Sequence, residues 1–384
     1  MKIARVAATP LNVPIALDAA GIEKKTSLSV CLVEVETDTG IVGHGFTAIT
    51  EEEVVASVVN DVVAANLLNE NPLAHEQIWE KLYWLLSPRG QTGYASHAIA
   101  AIDVALWDLK GKVLKQPVWA LLGGARNKVP VYTTFGFGSY DRDELAAAAK
   151  WWVARGHKRL KMVVGHHGLQ RRDEPRPLEQ VIVEDARRVR AVRDAVGSEV
   201  DLHVDANCSL DSFHAERLAR ALEPMGISFF EEPVKDNDVG ALLNLKAKTS
   251  IPLAGGQNEG LAWRFRDFMV SRCFDIVQPN VVIGGGFTQC ARIAGMASAF
   301  NLPIANGGAW AHHNMHLHAG VANGGLVEYH CAAVKVCEAI YGPLPAPVDG
   351  WLTLPDAPGL GFAPQKEKIM ELRKNPLSRG RGKA

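Results

Sequence analysis

The sequence predicts an α/β fold: a (β/α)8-type barrel preceded by an α+β capping domain that the C-terminal tail completes. Three observations carry that expectation. Eight short apolar runs alternate with helical patterns after Lys128, the residues before it read first as strands and then as helices, and three barrel runs end in oxygen-bearing side chains at equal intervals. Those ends are Asp205 in VDLHVDAN, Glu231 in ISFFEEP and Gln257 in IPLAGGQN, 26 residues apart at each step, which suits one strand, one returning helix and two loops. A chain of 384 residues holds a barrel of about 250 residues and leaves enough for a second domain. The expected boundaries are 1–125 for the cap, 126–340 for the barrel and 341–384 for a segment packing back on the cap.

In chain order, the cap opens with KIARVAATPLNV, SLSVCLVEVET and IVGHGFTAI, and the alternation around Asp38-Thr39-Gly40 predicts a hairpin with one buried face. Between the first two runs lies LDAAGIEKKTS, a polar stretch without clear periodicity that reads as a mobile lid loop. From Glu51 to Leu122 apolar residues recur at spacings of three and four in EEVVASVVNDVVAANLL, HEQIWEKLYWLL and SHAIAAIDVALWDLKGKVL, and Gly123-Gly124 ends the last helix. The barrel strands are expected at VPVYTTFG, RLKMVV, VDLHVDA, ISFFEE, IPLAGG, FDIVQP, LPIANG and LVEYH. No G-x-G-x-x-G fingerprint follows the first of them, which favours a closed barrel over an open doubly wound sheet. The tail after Tyr341 is rich in Pro and Gly and is expected to wrap back over the first domain.

Composition narrows the class. With 47% hydrophobic and 22% charged residues the chain reads as an ordinary globular protein. A formal net charge of −1 gives no global pull toward nucleic acid or an anionic membrane. The six cysteines lack C-x-x-C spacing, so buried, reduced thiols are expected. The opening MKIARVAATPLNVPI lacks the apolar stretch of a signal peptide and no later run reaches membrane-spanning length, so a cytoplasmic location is expected.

In a closed parallel barrel the C-terminal strand ends converge on one mouth, so Asp205, Glu231 and Gln257 can share one ion there, and oxygen-only donors favour Mg²⁺ over zinc. Each carboxylate alone reads equally well as a solvated strand end; the regular triple is what points to a metal. Asn207 follows Asp205 by two and faces the same side, where it can bond a ligand. His312 and His313 in AWAHHNMHLH fall at a loop-to-helix junction after the seventh run and are the candidate acid or base, because imidazole titrates near neutrality; the bland reading is structural. His316 and His318, deeper in that helix, read as packing or surface residues. His166 and His167 open the long loop HHGLQRRDEPRPLE, which with its arginines is either a solvated excursion or a cover bringing cations to a polyhydroxy carboxylate. His203 fills a barrel layer, and Gly284-Gly285-Gly286 offers a cradle for an anion at the next helix.

With these residues in hand the chain resembles the enolase superfamily, in its mandelate racemase and muconate lactonizing enzyme branch. The resemblance runs from about residue 1 to 362 and rests on AIDVALWDLKGKVLKQPVWALLGG (101–124) and on the VDAN, EEP and IGGG segments. It implies a modified TIM barrel, Asp205 and Glu231 as the first and second Mg²⁺ ligands, Gln257 in the third position, and removal of a proton next to a substrate carboxylate through an enediolate. Lys161 then faces the barrel mouth and neutralises the substrate carboxylate or acts as the base; its bland reading is a buried partner of Glu231 or Glu328. Glu328 donates to the enediolate if protonated, or is itself a structural ion-pair partner.

The chain also departs from the pattern. Gln257 replaces an acidic ligand, Val163 stands where relatives have the second lysine of Lys-x-Lys, and Asn280 and Asn306-Gly307-Gly308 replace the Asp and His of mandelate racemase. Two facing bases are therefore not expected, and the reading is a Mg²⁺-dependent sugar-acid dehydratase. The alternatives are an isomerase, either an epimerase or a cycloisomerase, and a non-catalytic binding protein that kept the barrel. A homo-oligomer is implied by the resemblance.

Overall fold

The structure is a computed structural model that describes residues 1–86, 93–165 and 176–373. The chain opens with two long antiparallel strands, β1 (Ile3–Ala19) and β2 (Ile22–Thr37), joined by Ala20 and Gly21, followed by β3 (Val42–Ala48). The expected lid loop LDAAGIEKKTS is thus a hairpin tip. Its ladder pairs Leu17 with Lys24 and Asp18 with Glu23, and Ile15, Leu17 and Ala19 are buried on alternate positions. Ala20 (φ 57°) and Gly21 (φ 76°) both take the left-handed conformation that a two-residue hairpin turn requires, without the Asn-Gly or Asp-Gly pair that usually signals it.

The helix Tyr94–Leu114 packs on this sheet, and His75–Leu86 packs against that helix. The second is buried on nearly all sides, because the cap lies against one side of it and the helix Gly286–Ala299 against another.

The parallel sheet contains β4 (Lys128–Gly136), β5 (Arg159–Val163), β6 (Asp201–Asp205), β7 (Ile227–Glu231), β8 (Leu253–Gly255), β9 (Ile276–Val277) and β10 (Val327–His330), ordered β10-β4-β5-β6-β7-β8-β9. The seventh expected run, LPIANG, does not form a full strand. A single bridge joins Ile304 to Val277, and Asn306 N–H donates to Leu326 O at 2.7 Å, so this short segment spans the gap between β9 and β10. Outside the sheet, several helices bury a single stripe. Ser212–Leu222 is capped by Asp211 and turns Ala215, Leu218, Ala219 and Leu222 inward at helical spacing. Full burial of each such leucine contributes about 1.5–3 kcal/mol. Inside the barrel, Tyr132, Phe229 and Ala254 form a small apolar cluster.

The tail does two things. β11 (Trp351–Thr353) pairs antiparallel with the start of β4, so this part belongs to the barrel, whereas Gly359 and Leu360 bond to Gln116, Val118 and Asp108 on the cap side. All six cysteines are free thiols, buried or half-buried. Among the described residues no helix is long and apolar enough to cross a membrane.

Candidate active site

The parallel register sets the site. Val163, Asp205 and Glu231 are paired across β5, β6 and β7 and so stand at one level at the strand ends, with Lys161 two residues deeper on β5. Lys161 Nζ lies 2.7 Å from Glu231 Oε2, 3.1 Å from Asp205 Oδ2 and 3.0 Å from Glu328 Oε1, and its side chain is 1% exposed. Burial alone would lower the lysine's pKa, but the three carboxylates outweigh it and hold Lys161 well above its ordinary value. Glu231 is pushed well up by burial and by Asp205, against the pull of Lys161.

Glu328 is the clearest ionised carboxylate: one oxygen accepts from Thr134 Oγ1 at 2.5 Å and the other from Ala309 N at 2.6 Å. Burial opposes its ionisation, yet Lys161, His330 and these donors leave its pKa below the ordinary value. Of the two expected roles of Glu328, the ion-pair partner fits this geometry, since both of its oxygens are acceptors.

Three buried carboxylates, Asp205, Glu231 and Glu328, surround one ammonium, which leaves room in the charge balance for a divalent cation. Glu231 Oε1 is buried without a hydrogen-bond partner. A Cβ at position 307 would stand 2.8 Å from that oxygen, so Gly307 keeps the space beside it open. These features fit a hard, oxygen-liganded ion such as Mg²⁺. Among the described residues no three His, Cys, Asp or Glu side chains converge on one metal position.

Gln257 does not offer its oxygen as expected. Its Nε2 donates to Glu232 Oε2 at 3.0 Å and approaches Asp205 Oδ2 at 3.4 Å, because two carboxylates that only accept select the NH₂ end of the amide. To ligate an ion through oxygen, the amide has to turn over and give up both contacts.

The remaining candidates separate cleanly. Asn207 lines the mouth, and its backbone N–H donates to Asp205 Oδ1 at 2.8 Å. His312 and His313 do not reach the mouth, which corrects their expected acid–base role. The helix Ala311–Gly320 turns His313 into the interface between cap and tail, stacked on Phe46 with centroids 4.8 Å apart and edge-on to Phe362. His312 Nε2 meets Pro345 O at 2.8 Å. Burial lowers the pKa of both. His316 and His318 are likewise fully buried, and His203 stacks on Phe229 at 4.0 Å inside the barrel. His166 and His167 lie outside the described residues.

Asn280 donates to Gly307 O at 2.7 Å and Gly308 O at 2.9 Å and accepts from Asn314 Nδ2 at 3.0 Å, which pins the loop after the seventh barrel position. The anion at the Gly286–Ala299 helix start is Asp103 from the cap, which accepts from Thr288 N at 3.0 Å and Thr288 Oγ1 at 2.6 Å.

A cavity of about 420 Å³ opens above the charged cluster. Its floor includes Thr134, Asp205, Gln257 and Glu328, and its roof is the hairpin tip with Leu17, Lys24, Lys25 and Leu28. His330 lines it too. Lys24, which Glu144 pairs at 2.9 Å, Lys25 and His330 had not been singled out from sequence. For His330 the signal was present: it follows Glu328 by two on one strand and so shares its face.

A parallel barrel with buried carboxylates at its strand ends, roofed by an antiparallel cap, defines a two-domain barrel enzyme. The chain belongs to the enolase superfamily, in the mandelate racemase/muconate lactonizing enzyme family: residues 2–123 match the mandelate racemase / muconate lactonizing enzyme N-terminal domain, and residues 144–368 match the enolase C-terminal domain-like family. It is 31% identical to an arabinonate dehydratase of Saccharolobus solfataricus, over 87% of this chain and 88% of that protein. It is 30% identical to a 3,6-anhydro-alpha-L-galactonate cycloisomerase of Streptomyces coelicolor, over 88% of this chain and 90% of that protein. Its fold is similar to the crystal structure of a racemase from Streptomyces coelicolor A3(2) with bound magnesium, with a TM-score of 0.86, 28% identity, and coverage of 96% of this chain and 99% of that one.

Proposed function

We propose that this enzyme is a Mg²⁺-dependent dehydratase of sugar acids that removes the proton next to the carboxylate and expels the hydroxyl one carbon further on. The observation that carries the reading is the buried Asp205, Glu231, Glu328 and Lys161 cluster at the floor of a cavity of about 420 Å³, large enough for a small acid. Asp205 and Glu231 would hold the ion, which supplies the positive charge that a second negative charge on a carboxylate requires.

The chain's own residues do the rest of the positioning. The Lys161 ammonium, fixed by three carboxylates, faces the substrate carboxylate, and Glu328 holds it from the opposite side. Glu232 fixes the Gln257 amide beside Asp205, and the hairpin tip covers part of the cavity from above. Similarity to arabinonate dehydratase supports dehydration. Similarity of the same extent to a cycloisomerase supports a second reading, opening of an anhydro-sugar or lactone ring.

A panel of five- and six-carbon sugar acids, incubated with Mg²⁺ in D₂O and followed by NMR and mass spectrometry, tests both. Dehydration yields a 2-keto-3-deoxy acid with loss of one water, whereas isomerisation conserves mass. Neither α-exchange nor any product across the panel would remove the enzymatic reading and leave a binding role.

A further inference from the structure

β9 ends one residue before Gln278, whose backbone N–H still donates to Gly255 O at 2.8 Å, so the ladder carries on through it. Ile276 packs against the Tyr132, Phe229 and Ala254 cluster inside the barrel, and alternation turns Gln278, two residues on, to the same side. The Gln278 side chain is fully buried and is not part of the cavity lining. Most buried side-chain amides are bonded. Neither Oε1 nor Nε2 of Gln278 has a hydrogen-bond partner among the described residues.

A third unpaired atom lies close by. Lys161 holds one oxygen of Glu231 at 2.7 Å, and the other, Oε1, is buried and unbonded. A Cβ on Gly307 would stand 2.8 Å from that oxygen and 3.1 Å from Gln278 Nε2, so the two atoms are at most about two hydrogen-bond lengths apart. They are within reach of one bridging water, or of each other once the amide turns. A carboxylate that ligates a cation is ionised and only accepts, and the amide nitrogen only donates, so the pair is complementary. Each carboxylate oxygen carries two lone pairs, so Oε1 can take an N–H and a cation together.

We infer that Gln278 is a positioning residue for the metal site: its Nε2–H holds Oε1 of Glu231, directly or through one water, while Lys161 holds Oε2, and the carboxylate is aimed at the cation from both ends. The inference rests on the reading of Asp205 and Glu231 as ligands of Mg²⁺. An unbonded buried amide lowers stability, so an apolar side chain of the same length would serve the barrel core better. What the amide supplies is a donor for Glu231.

Gln278→Met tests this, because Met matches Gln in length and carries no donor. In metal-free protein the urea midpoint of the variant should equal or exceed that of wild type. By calorimetry with Mg²⁺ alone, its Kd should be about 10–100-fold weaker, the usual effect of removing the partner of a metal ligand. A Kd within about twofold of wild type overturns the inference whatever the midpoint does. A second measurement needs no variant: when Mg²⁺ is added to ¹⁵N-glutamine-labelled wild type, one proton of the Gln278 side-chain amide should move downfield, as an N–H donating to a carboxylate does. An amide pair that stays in place overturns the inference as well.

The readings fail separately. Wild type that binds Mg²⁺ while Gln278→Met binds it equally removes the role of Gln278 alone. Wild type that binds Mg²⁺ more tightly than Gln278→Met, yet turns over no sugar acid, removes the dehydratase reading alone. Wild type that binds no Mg²⁺ at millimolar supply removes Asp205 and Glu231 as ligands, and the role of Gln278 with them.

Discussion

Lys161 and Gln257 set the charge balance of the site from opposite sides. Lys161 is the single ammonium among Asp205, Glu231 and Glu328, so Lys161→Met leaves three buried carboxylates facing one another. Removing one partner of a buried ion pair costs about 3–5 kcal/mol, and the variant should lose stability on that scale in metal-free urea denaturation. Added Mg²⁺ should then raise its melting temperature more than it raises that of wild type, because the cation meets a cluster short of one positive charge. Equal Mg²⁺-induced shifts in the two proteins would show that the ion binds away from these carboxylates. Gln257→Glu acts in the reverse direction. A carboxylate there loses the two N–H contacts to Glu232 and Asp205 and adds a negative charge beside both. Without metal the variant should be less stable, and by calorimetry it should bind Mg²⁺ at least about tenfold more tightly; unchanged affinity would mean that position 257 does not face the ion.

At the level of elements, legibility followed periodicity. The helices Tyr94–Leu114 and Ser212–Leu222 and the long barrel strands carry patterns that buried faces impose, so they were readable. Two elements were not. The β1–β2 hairpin turns on Ala20-Gly21, where the backbone conformation and not the residue types supplies the turn, and the seventh barrel strand contracts to the single Ile304 bridge. The convergence of Asp205 and Glu231 was legible because strand ends in a barrel converge by geometry. The acid–base histidines were misread because His312 and His313 occupy one helix whose orientation is set by contacts far away in sequence, Phe46 in the cap and Phe362 in the tail. That difference is measurable. His313→Phe replaces a stacked, neutral ring by an apolar one and gives up the 3.3 Å contact with Tyr341 Oη. It should leave kcat and KM of the identified reaction within about threefold while changing stability by roughly 1 kcal/mol in either direction. A loss of activity of 10²-fold or more in a folded variant would restore His313 as a catalytic group.

Across the whole molecule, burial of many histidines makes stability pH-dependent. Among the described residues His75, His97, His157, His203, His312, His313, His316 and His318 are all lowered, chiefly by burial, with His97 and His157 at about 4 and His203, His316 and His318 at about 3. As pH falls through 6.5, the ordinary value of histidine, the unfolded chain takes up protons there and the folded one does not, so stability present above 6.5 is lost below it. Five carboxylates oppose this: Asp103 (raised to about 7), Asp185, Glu231, Glu232 and Glu259 have raised values, so the folded chain binds protons that the unfolded one still lacks. Eight histidines against five carboxylates leave the unfolded state ahead, and each uncompensated proton corresponds to about 1.4 kcal/mol per pH unit. The urea midpoint should therefore fall from about pH 6.5 to about pH 5. His203→Leu isolates one contributor, because both ring nitrogens of His203 are buried without partners and its removal sacrifices no hydrogen bond. The variant should lose about one proton's worth of that slope while its midpoint near pH 8 stays close to wild type. A wild-type midpoint that holds or rises on acidification would mean that the buried carboxylates, not the histidines, dominate the acid response of this fold.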